Sequence, residues 1–537
     1  MTPLRALGAA LLASLALSPA AAADRRPSTG FPAGFLWGTA ISGFQTEMGR
    51  GRNLDTRSDW WVWTHDASNR SRGIVTDDLP EDGPGHWALF RRDLDLARRS
   101  LNNNAFRLSV EWSRIFPRPT TGVEVGRRID RHDLARLDGL ANHRAVRHYR
   151  AVLRAARRRG IEPFVTLHHW TIPTWLHDAP AVRDALAARG PDDPLPRIFR
   201  DGWLDRTTVQ EFRKYAAYLG WKLGDLADFW SPINEPMVLV ASGYVNVPGV
   251  LAGNFPPGAF SFTGAIRVVL NLERGNTVAY RALKRWDRHD ADRDGRRARV
   301  GPVQNTIAFT PAEPSSSADR RAADHAHYLF NRLFLNAAVR GDIDRDADGR
   351  LEPGERRRHG RNADFVGLNY YFRSRVSAAG APLSSRVPIL DFIPSNDYRT
   401  PLRPSLPPCP TVCSEFGNEI YPRGFRRLLR TAASYGLPVY VTENGVADRD
   451  DNLRPGHLVR HLRQLRRALV EDHLDIRGYF HWSLTDNFEW SAGYFPRFGL
   501  FRYDVRTLAR RARRSARIYS RIARLNGIPR DLARRYP

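Results

Sequence analysis

The sequence predicts an α/β fold, a single (β/α)8 TIM barrel, and three observations predict it. Eight short apolar runs recur along the chain, segments with helical spacing of apolar residues lie between them, and the runs lack strict alternation. Strands buried on both faces read this way, because helices cover one side and the barrel interior the other. With 537 residues, 42% hydrophobic and 11% aromatic, the chain has the apolar material for one large core and too much for disorder.

In order, the runs are FLWGTA (35–40), NAFRLSV (104–110), EPFVTLHHW (162–170) and DFWSPINEP (228–236). They continue with RVGPVQNTIAF (299–309), DFVGLNYYF (364–372), PVYVTENG (438–445) and RGYFHWSL (477–484). Between them Tyr149, Val152, Leu153 and Ala156 recur at i, i+3, i+4 and i+7, as do Phe212, Tyr215, Ala216 and Leu219. Leu458, Leu462, Leu465 and Leu469 form another stripe, and RRSARIYSRIARLNG closes the series with its glycine as the expected helix stop.

Residues 1–23 read as a secretory signal peptide: Arg5, an apolar segment from Ala6 to Leu17, then small residues with cleavage near Ala22 or Ala23. A membrane anchor would need roughly 20 apolar residues without that small-residue exit. Residues 24–537 are then the barrel of a secreted or periplasmic protein, with no run apolar for long enough to span a membrane. Cys409 and Cys413, four apart in PPCPTVCSE, fit a small disulfide-closed loop in an oxidising compartment, and two cysteines without histidines are too few for zinc. The net charge of +26 allows weak association with polyanions. Yet the arginines of RRDLDLARR and RQLRRALVED alternate with apolar positions, as on solvated helix faces, and none interleaves with aromatics as in a nucleic-acid module. No nucleic-acid partner is expected.

In a (β/α)8 barrel the C-terminal strand ends build the active site. The polar residues at those ends are Gln45 after the first run, Arg107, His169, and Asn234 with Glu235, then Asn369 and Tyr371, Glu443, and Trp482 with Glu489 and Trp490. Glu235 ends the fourth run and Glu443 the seventh, which sets two carboxylates across the mouth from each other on opposite strands. Paired carboxylates flanking a bond are the apparatus of glycoside hydrolysis. About 5–5.5 Å between them gives retention of configuration, about 6.5–9.5 Å inversion. That chemistry needs no cofactor.

Six motifs carry a resemblance over essentially the whole mature chain: FRLSVEWSRIFP (106–117), TLHHW (166–170), NEP (234–236), GLNYY (367–371), TENG (442–445) and WSLTDNFEW (482–490). On them the chain resembles glycoside hydrolase family 1, the retaining β-glycosidases. ANHRAVRHYRAVL, WLHDAPAVR and NFPPGAFSF look like the archaeal branch. The resemblance implies that Glu443 is the nucleophile, supported by Arg107 and Tyr371, and that Glu235 is the acid/base. It implies that Asn234 meets the sugar 2-hydroxyl, that Gln45, His169 and Glu489 bind the 3-, 4- and 6-hydroxyls, and that Trp482 and Trp490 form a stacking platform. An acidic Glu489 would repel a 6-phosphate, so the expected substrate is an unphosphorylated small-molecule or oligosaccharide β-glycoside; an intact Glu235 points to O-glycosides. Thr171 departs from the family pattern after HHW, at what reads as the rim. Each residue also has a plain structural reading: Gln45 and Asn369 as turn caps, His169 as a core histidine, the tryptophans as core aromatics. Two other functions stay open, a transglycosylase and a non-catalytic carbohydrate- or polyanion-binding barrel.

DRDADGRLEPGE (344–355) lies outside that pattern. It has the spacing of an EF-hand calcium loop, with Asp344, Asp346 and Asp348 at positions 1, 3 and 5 and Gly349 at 6. Arg350 would offer its carbonyl at 7, and Glu355 stands at 12. The alternative is an acidic, arginine-rich surface loop. DADRDGRRARVG (290–301) repeats the aspartates but has Gly301 where the glutamate should be. Both loops precede a strand, so both are expected on the bottom face, with a structural calcium ion at 344–355 stapling the loop away from the chemistry.

Overall fold

Eight parallel strands surround a plug of aromatic side chains. The structure is a computed structural model and describes residues 30–246, 253–358, 360–381, 390–395, 397–400 and 404–537; the signal-peptide segment 1–23 lies outside the described residues. The strands are β1 (Leu36–Ala40), β2 (Ala105–Ser109), β3 (Glu162–His168), β4 (Phe229–Ile233), β6 (Val366–Ser377), β7 (Val439–Asn444) and β8 (Ile476–Trp482), with β5 in two pieces, Arg299–Val300 and Val303–Pro311. All eight fall on the eight runs read from the sequence.

Each strand pairs in parallel with its neighbours in chain order, and β1 also pairs with β8, Leu36 against Gly478 and Ala40 against Trp482. The first piece of β5 pairs with β4 and the second with β6, so the ring passes through the Gly301–Pro302 link, where Asn234 also bridges to Val303. The helices that follow the strands are α1 (His86–Asp95), α2 (His143–Arg157), α3 (Arg206–Leu223), α4 (Phe262–Trp286), α5 (Ser317–Ala326), α6 (Pro422–Ala433), α7 (Arg454–Val470) and α8 (Arg514–Leu525). The stripes of α2 and α3 are fully buried, and in α7 Leu469 at the last turn is half-buried. Asn142 and Asp205 cap the starts of α2 and α3 by accepting from backbone N–H groups of the first turn.

Inside the ring, Phe164 lies 5.2–5.6 Å from Phe229, Phe365 and Phe480, ring centre to ring centre, and Tyr440 packs against Phe229 and Phe365 at 5.4 Å. These rings pack together in the lower barrel. The fit is close: a Cβ on Gly38 would stand 2.3 Å from Phe480 Cδ1, so β1 carries glycine there. One boundary differs from expectation. α8 ends at Asn526, not at the following glycine: Asn526 takes the left-handed conformation (φ +45°). Its side chain donates to the carbonyls of Phe31 and Pro32 and accepts from the Trp37 indole, so an asparagine does what glycine cannot and ties α8 to the first strand. Cys409 and Cys413 are disulfide-bonded. No helix of the described residues is long and apolar enough to cross a membrane.

Candidate active site

The C-terminal strand ends deliver their polar residues to one buried group at the mouth. Glu443 comes from the end of β7 and Glu235 from the first position past Asn234 at the end of β4. The two strands stand three places apart round the ring rather than opposite each other. Glu235 has left-handed backbone (φ +48°), unusual for a glutamate, which turns the chain abruptly from strand into the helix Pro236–Tyr244. Such a residue costs on the order of 1–3 kcal/mol and persists only where the surroundings fix it. Here they do: the Asn234 N–H donates to the His168 carbonyl and the Glu235 N–H to the Val303 carbonyl.

Both oxygens of Glu443 accept from donors. The Arg107 guanidinium from β2 donates to Oε1, and the Tyr371 hydroxyl from β6 to Oε2 at 2.5 Å. The second arm of Arg107 donates to Asn234 Oδ1 at 2.6 Å. Asn369 donates to Glu235 Oε1 at 2.6 Å, and the Thr442 hydroxyl, donating to Asn369 Oδ1 at 2.6 Å, fixes which end of that amide faces the acid. The environments of the two acids differ accordingly. Burial, and then the charge of Glu443, push Glu235 up to about 8, so its carboxyl carries a proton at neutral pH. Burial, with the charge of Glu443 added, also pushes the Tyr371 hydroxyl well above its ordinary range, keeping it a donor.

The other predicted residues gather beside the acids. His169 follows β3; its Nε2 lies 3.3 Å from the Asn234 amide nitrogen, and its buried Nδ1 has no partner in the protein. Burial holds its ring well below the usual histidine range, hence neutral. Gln45, on the turn Gly43–Thr46 after β1, donates to Asn487 Oδ1 at 3.1 Å and Glu489 Oε2 at 3.3 Å, while the Ser42 hydroxyl donates to its Oε1. Burial, and then Glu443, raise Glu489 to about 8. Trp482 and Trp490 each lie nearly parallel to His169 at 6.0 Å, and Trp490 also packs on Phe44, Trp60 and Phe255, so it is both wall and core. His169, Glu235, Tyr371, Glu443, Glu489 and both tryptophans line one cavity of about 480 Å³, with Arg107, Asn234, Asn369 and Gln45 hydrogen-bonded behind them.

Three residues escaped the sequence reading. Asn305, on β5, lines the cavity and hydrogen-bonds to Glu235, so the strand that had no candidate also contributes. The signal was present, three successive polar residues (Gln304, Asn305, Thr306) inside an apolar run. Thr442 and Asn487 act by orienting Asn369 and Gln45, roles that only side-chain geometry reveals. Thr171 is not at the rim: it is buried and donates to Glu111 at 2.6 Å. The acidic loop also departs from expectation. Asp344, Asp346 and Asp348 do bring carboxylate oxygens within 4.8 Å of one another, Glu355 is buried, and Arg350 is exposed. But Ala347, between the aspartates, lines the same cavity as Glu235 and Glu443, which a loop confined to the bottom face would not reach.

The glycosyl hydrolase family 1 model matches residues 28–184 and 194–528. A β-galactosidase of Pyrococcus woesei is 38% identical over 94% of this chain and 98% of its own, and one of Saccharolobus solfataricus 36% identical over 92% and 95%. The crystal structure of a β-glycosidase from Thermosphaera aggregans superposes with a TM-score of 0.81, at 35% identity over 94% of this chain and 99% of that one. The chain belongs to glycosyl hydrolase family 1, the retaining β-glycosidases.

Proposed function

We propose that the protein is exported and removes a β-linked glucosyl or galactosyl (or fucosyl) unit from the non-reducing end of its substrates, with Glu443 as nucleophile and Glu235 as acid/base. The observation that carries this reading is the asymmetry of the pair: Glu443 accepts from a cation and a hydroxyl, while Glu235 is held protonated at neutral pH. In the first step a Glu443 oxygen bonds to the anomeric carbon, the bond to the leaving oxygen breaks, and the Glu235 proton passes to that oxygen. Esterification removes the charge of Glu443, so Glu235, now a carboxylate, has lost the neighbour that opposed its ionisation. It takes a proton from water, the water oxygen bonds to the anomeric carbon, and Glu443 leaves. The unpartnered His169 Nδ1 and the Gln45–Glu489 pair supply donors and acceptors for the sugar hydroxyls.

The outer cavity is apolar, with Val238, Phe262, Ile307, Phe309 and Phe330 in its wall, and favours an apolar aglycone. The segment at residues 1–23 and the Cys409–Cys413 bridge support export; mature protein from culture medium or periplasm would begin at Ala23 or Asp24. The test is a panel of nitrophenyl glycosides followed by proton NMR, with Glu443→Ala beside it. The expected result is hydrolysis of β-glycosides with the β-anomer as first product, lost by at least about a thousand-fold in the variant. A folded protein inactive on every β-glycoside, or an α-anomer first product, overturns the proposal.

A further inference from the structure

The chain has two D-x-D-x-D-G segments, 290–295 and 344–349, and in both the three aspartates hold carboxylate oxygens within 4.8 Å of one another. Their surroundings differ. At the first, Arg299 pairs with Asp292 at 3.1 Å and also with Asp294, and Arg157 pairs with the adjoining Glu162 and Asp228. The chain answers that negative charge itself. At the second, among the described residues, the one ion pair joins Arg345 to Glu355 at 3.8 Å, and none reaches Asp344, Asp346 or Asp348.

Buried oxygens are left over at this second loop. Asp344 is 2% exposed; its Oδ2 accepts from the Tyr328 hydroxyl at 2.6 Å and from the Gly349 N–H, and its Oδ1 has no partner in the protein. Behind it on α4, Glu273 is 1% exposed with neither carboxylate oxygen partnered, close enough for the charge of Asp344 to act on it. Buried polar groups in folded proteins nearly always have a partner, so a buried, unpartnered Asp344 oxygen inside a cluster of carboxylates points to a group that belongs there. Glu355, at the twelfth position, stands outside that group of aspartate oxygens but beside it: it is 3% exposed and accepts from the backbone N–H of Arg345, next to Asp344, and from that of Glu352. Gly349, at the sixth position, has the φ of +85° that the sharp turn of such a loop needs.

We propose that Asp344, Asp346, Asp348 and Glu355, with the Arg350 carbonyl, bind one calcium ion, and that the ion fixes Ala347 in the wall of the substrate cavity. An all-oxygen set with several carboxylates suits a hard cation, and calcium takes 6–8 such ligands in flexible geometry. Ala347 is buried, has left-handed backbone (φ +57°), and lines the cavity that holds Glu235 and Glu443. The ion thus acts on the shape of the aglycone side and takes no part in bond cleavage.

The experiment uses full-length mature protein, stripped with chelator and dialysed free of it. Calcium or magnesium chloride is titrated calorimetrically, and Tm is read with each. Asp346→Asn is the test variant, since that side chain is exposed and its loss should not prevent folding; Asp290→Asn in the arginine-neutralised loop is the control. The expected result is one calcium per chain, a Tm raised by several degrees, binding weakened at least tenfold by D346N and unchanged by D290N, and a KM for a long-chain alkyl β-glycoside several-fold lower with calcium. Absence of binding, equal affinity for magnesium, or loss of binding in D290N overturns the metal assignment. Binding with an unchanged KM for every aglycone overturns the part that concerns the cavity wall. Neither outcome depends on which sugar the enzyme prefers.

Discussion

The strongest test of the acid/base assignment is the alkaline limb of the pH profile. Burial and the charge of Glu443 together hold Glu235 at about 8. At pH 7 about nine in ten molecules then carry the proton, against about one in five hundred for a glutamate at its ordinary value of about 4.3. The environment therefore raises the competent fraction by more than about a hundred-fold. The perturbation is Glu235→Gln, which keeps the Asn369 contact but holds no transferable proton. The assay is kcat/KM from pH 5 to 10 on a series of aryl β-glucosides of graded leaving-group acidity. The wild-type enzyme should lose activity with a midpoint near pH 8 and fall tenfold per pH unit beyond. The variant should lose that limb, together with about 100- to 10,000-fold in rate on poor leaving groups and far less on dinitrophenolate, which needs no proton. A limb centred near pH 5, or one that survives in E235Q, would refute the reasoning.

The same buried acids predict a pH-dependent stability. Glu47, Glu235 and Glu489 are each raised to about 8, chiefly by burial, so their contribution to stability is fully present below about pH 4.3 and is lost as pH rises through 8; E489Q should lose less Tm than wild type between pH 5 and 9. Gly38→Val puts side-chain carbon into the Phe480 ring and should cost about 1–3 kcal/mol or more in urea denaturation, because the aromatic plug has no room to retreat. Asn526→Ala strains the left-handed cap and removes contacts to Phe31, Pro32 and Trp37; a loss of about 2–3 kcal/mol is expected, while Asn526→Gly restores only the backbone part.

Strand positions and the pair of carboxyls at the mouth were legible because both leave marks in one dimension. A strand buried on both faces must be an uninterrupted apolar run, and a polar residue tolerated at its end must have a reason to be there. Glu235 and Glu443 stand out on that ground alone. Thr442 and Asn487 did not, since each acts through the angle at which it meets another side chain, whereas Asn305 did leave a mark in the polar triplet of the fifth run. The position of Ala347 was illegible for a different reason. Chain order placed its loop below the barrel, but Asp344 accepts from the Tyr328 hydroxyl, just past α5, and Ala347 reaches the cavity.

The plug of aromatics below the site and the strain at Glu235 belong to one arrangement. Phe164, Phe229, Phe365, Tyr440 and Phe480 keep water and side chains out of the lower barrel, so the carboxylates above them are buried from beneath as well as from the sides. Burial is the largest contribution to the raised Glu235, ahead of the charge of Glu443. A floor that fails to exclude water would therefore lower Glu235 toward the ordinary glutamate range without touching any residue of the mouth. Phe164→Ala, five places back along the chain from the cavity residue His169, should accordingly shift the alkaline limb downward as well as destabilise the fold. A variant that loses stability while its limb stays near pH 8 would show that the dry environment is made by the mouth alone.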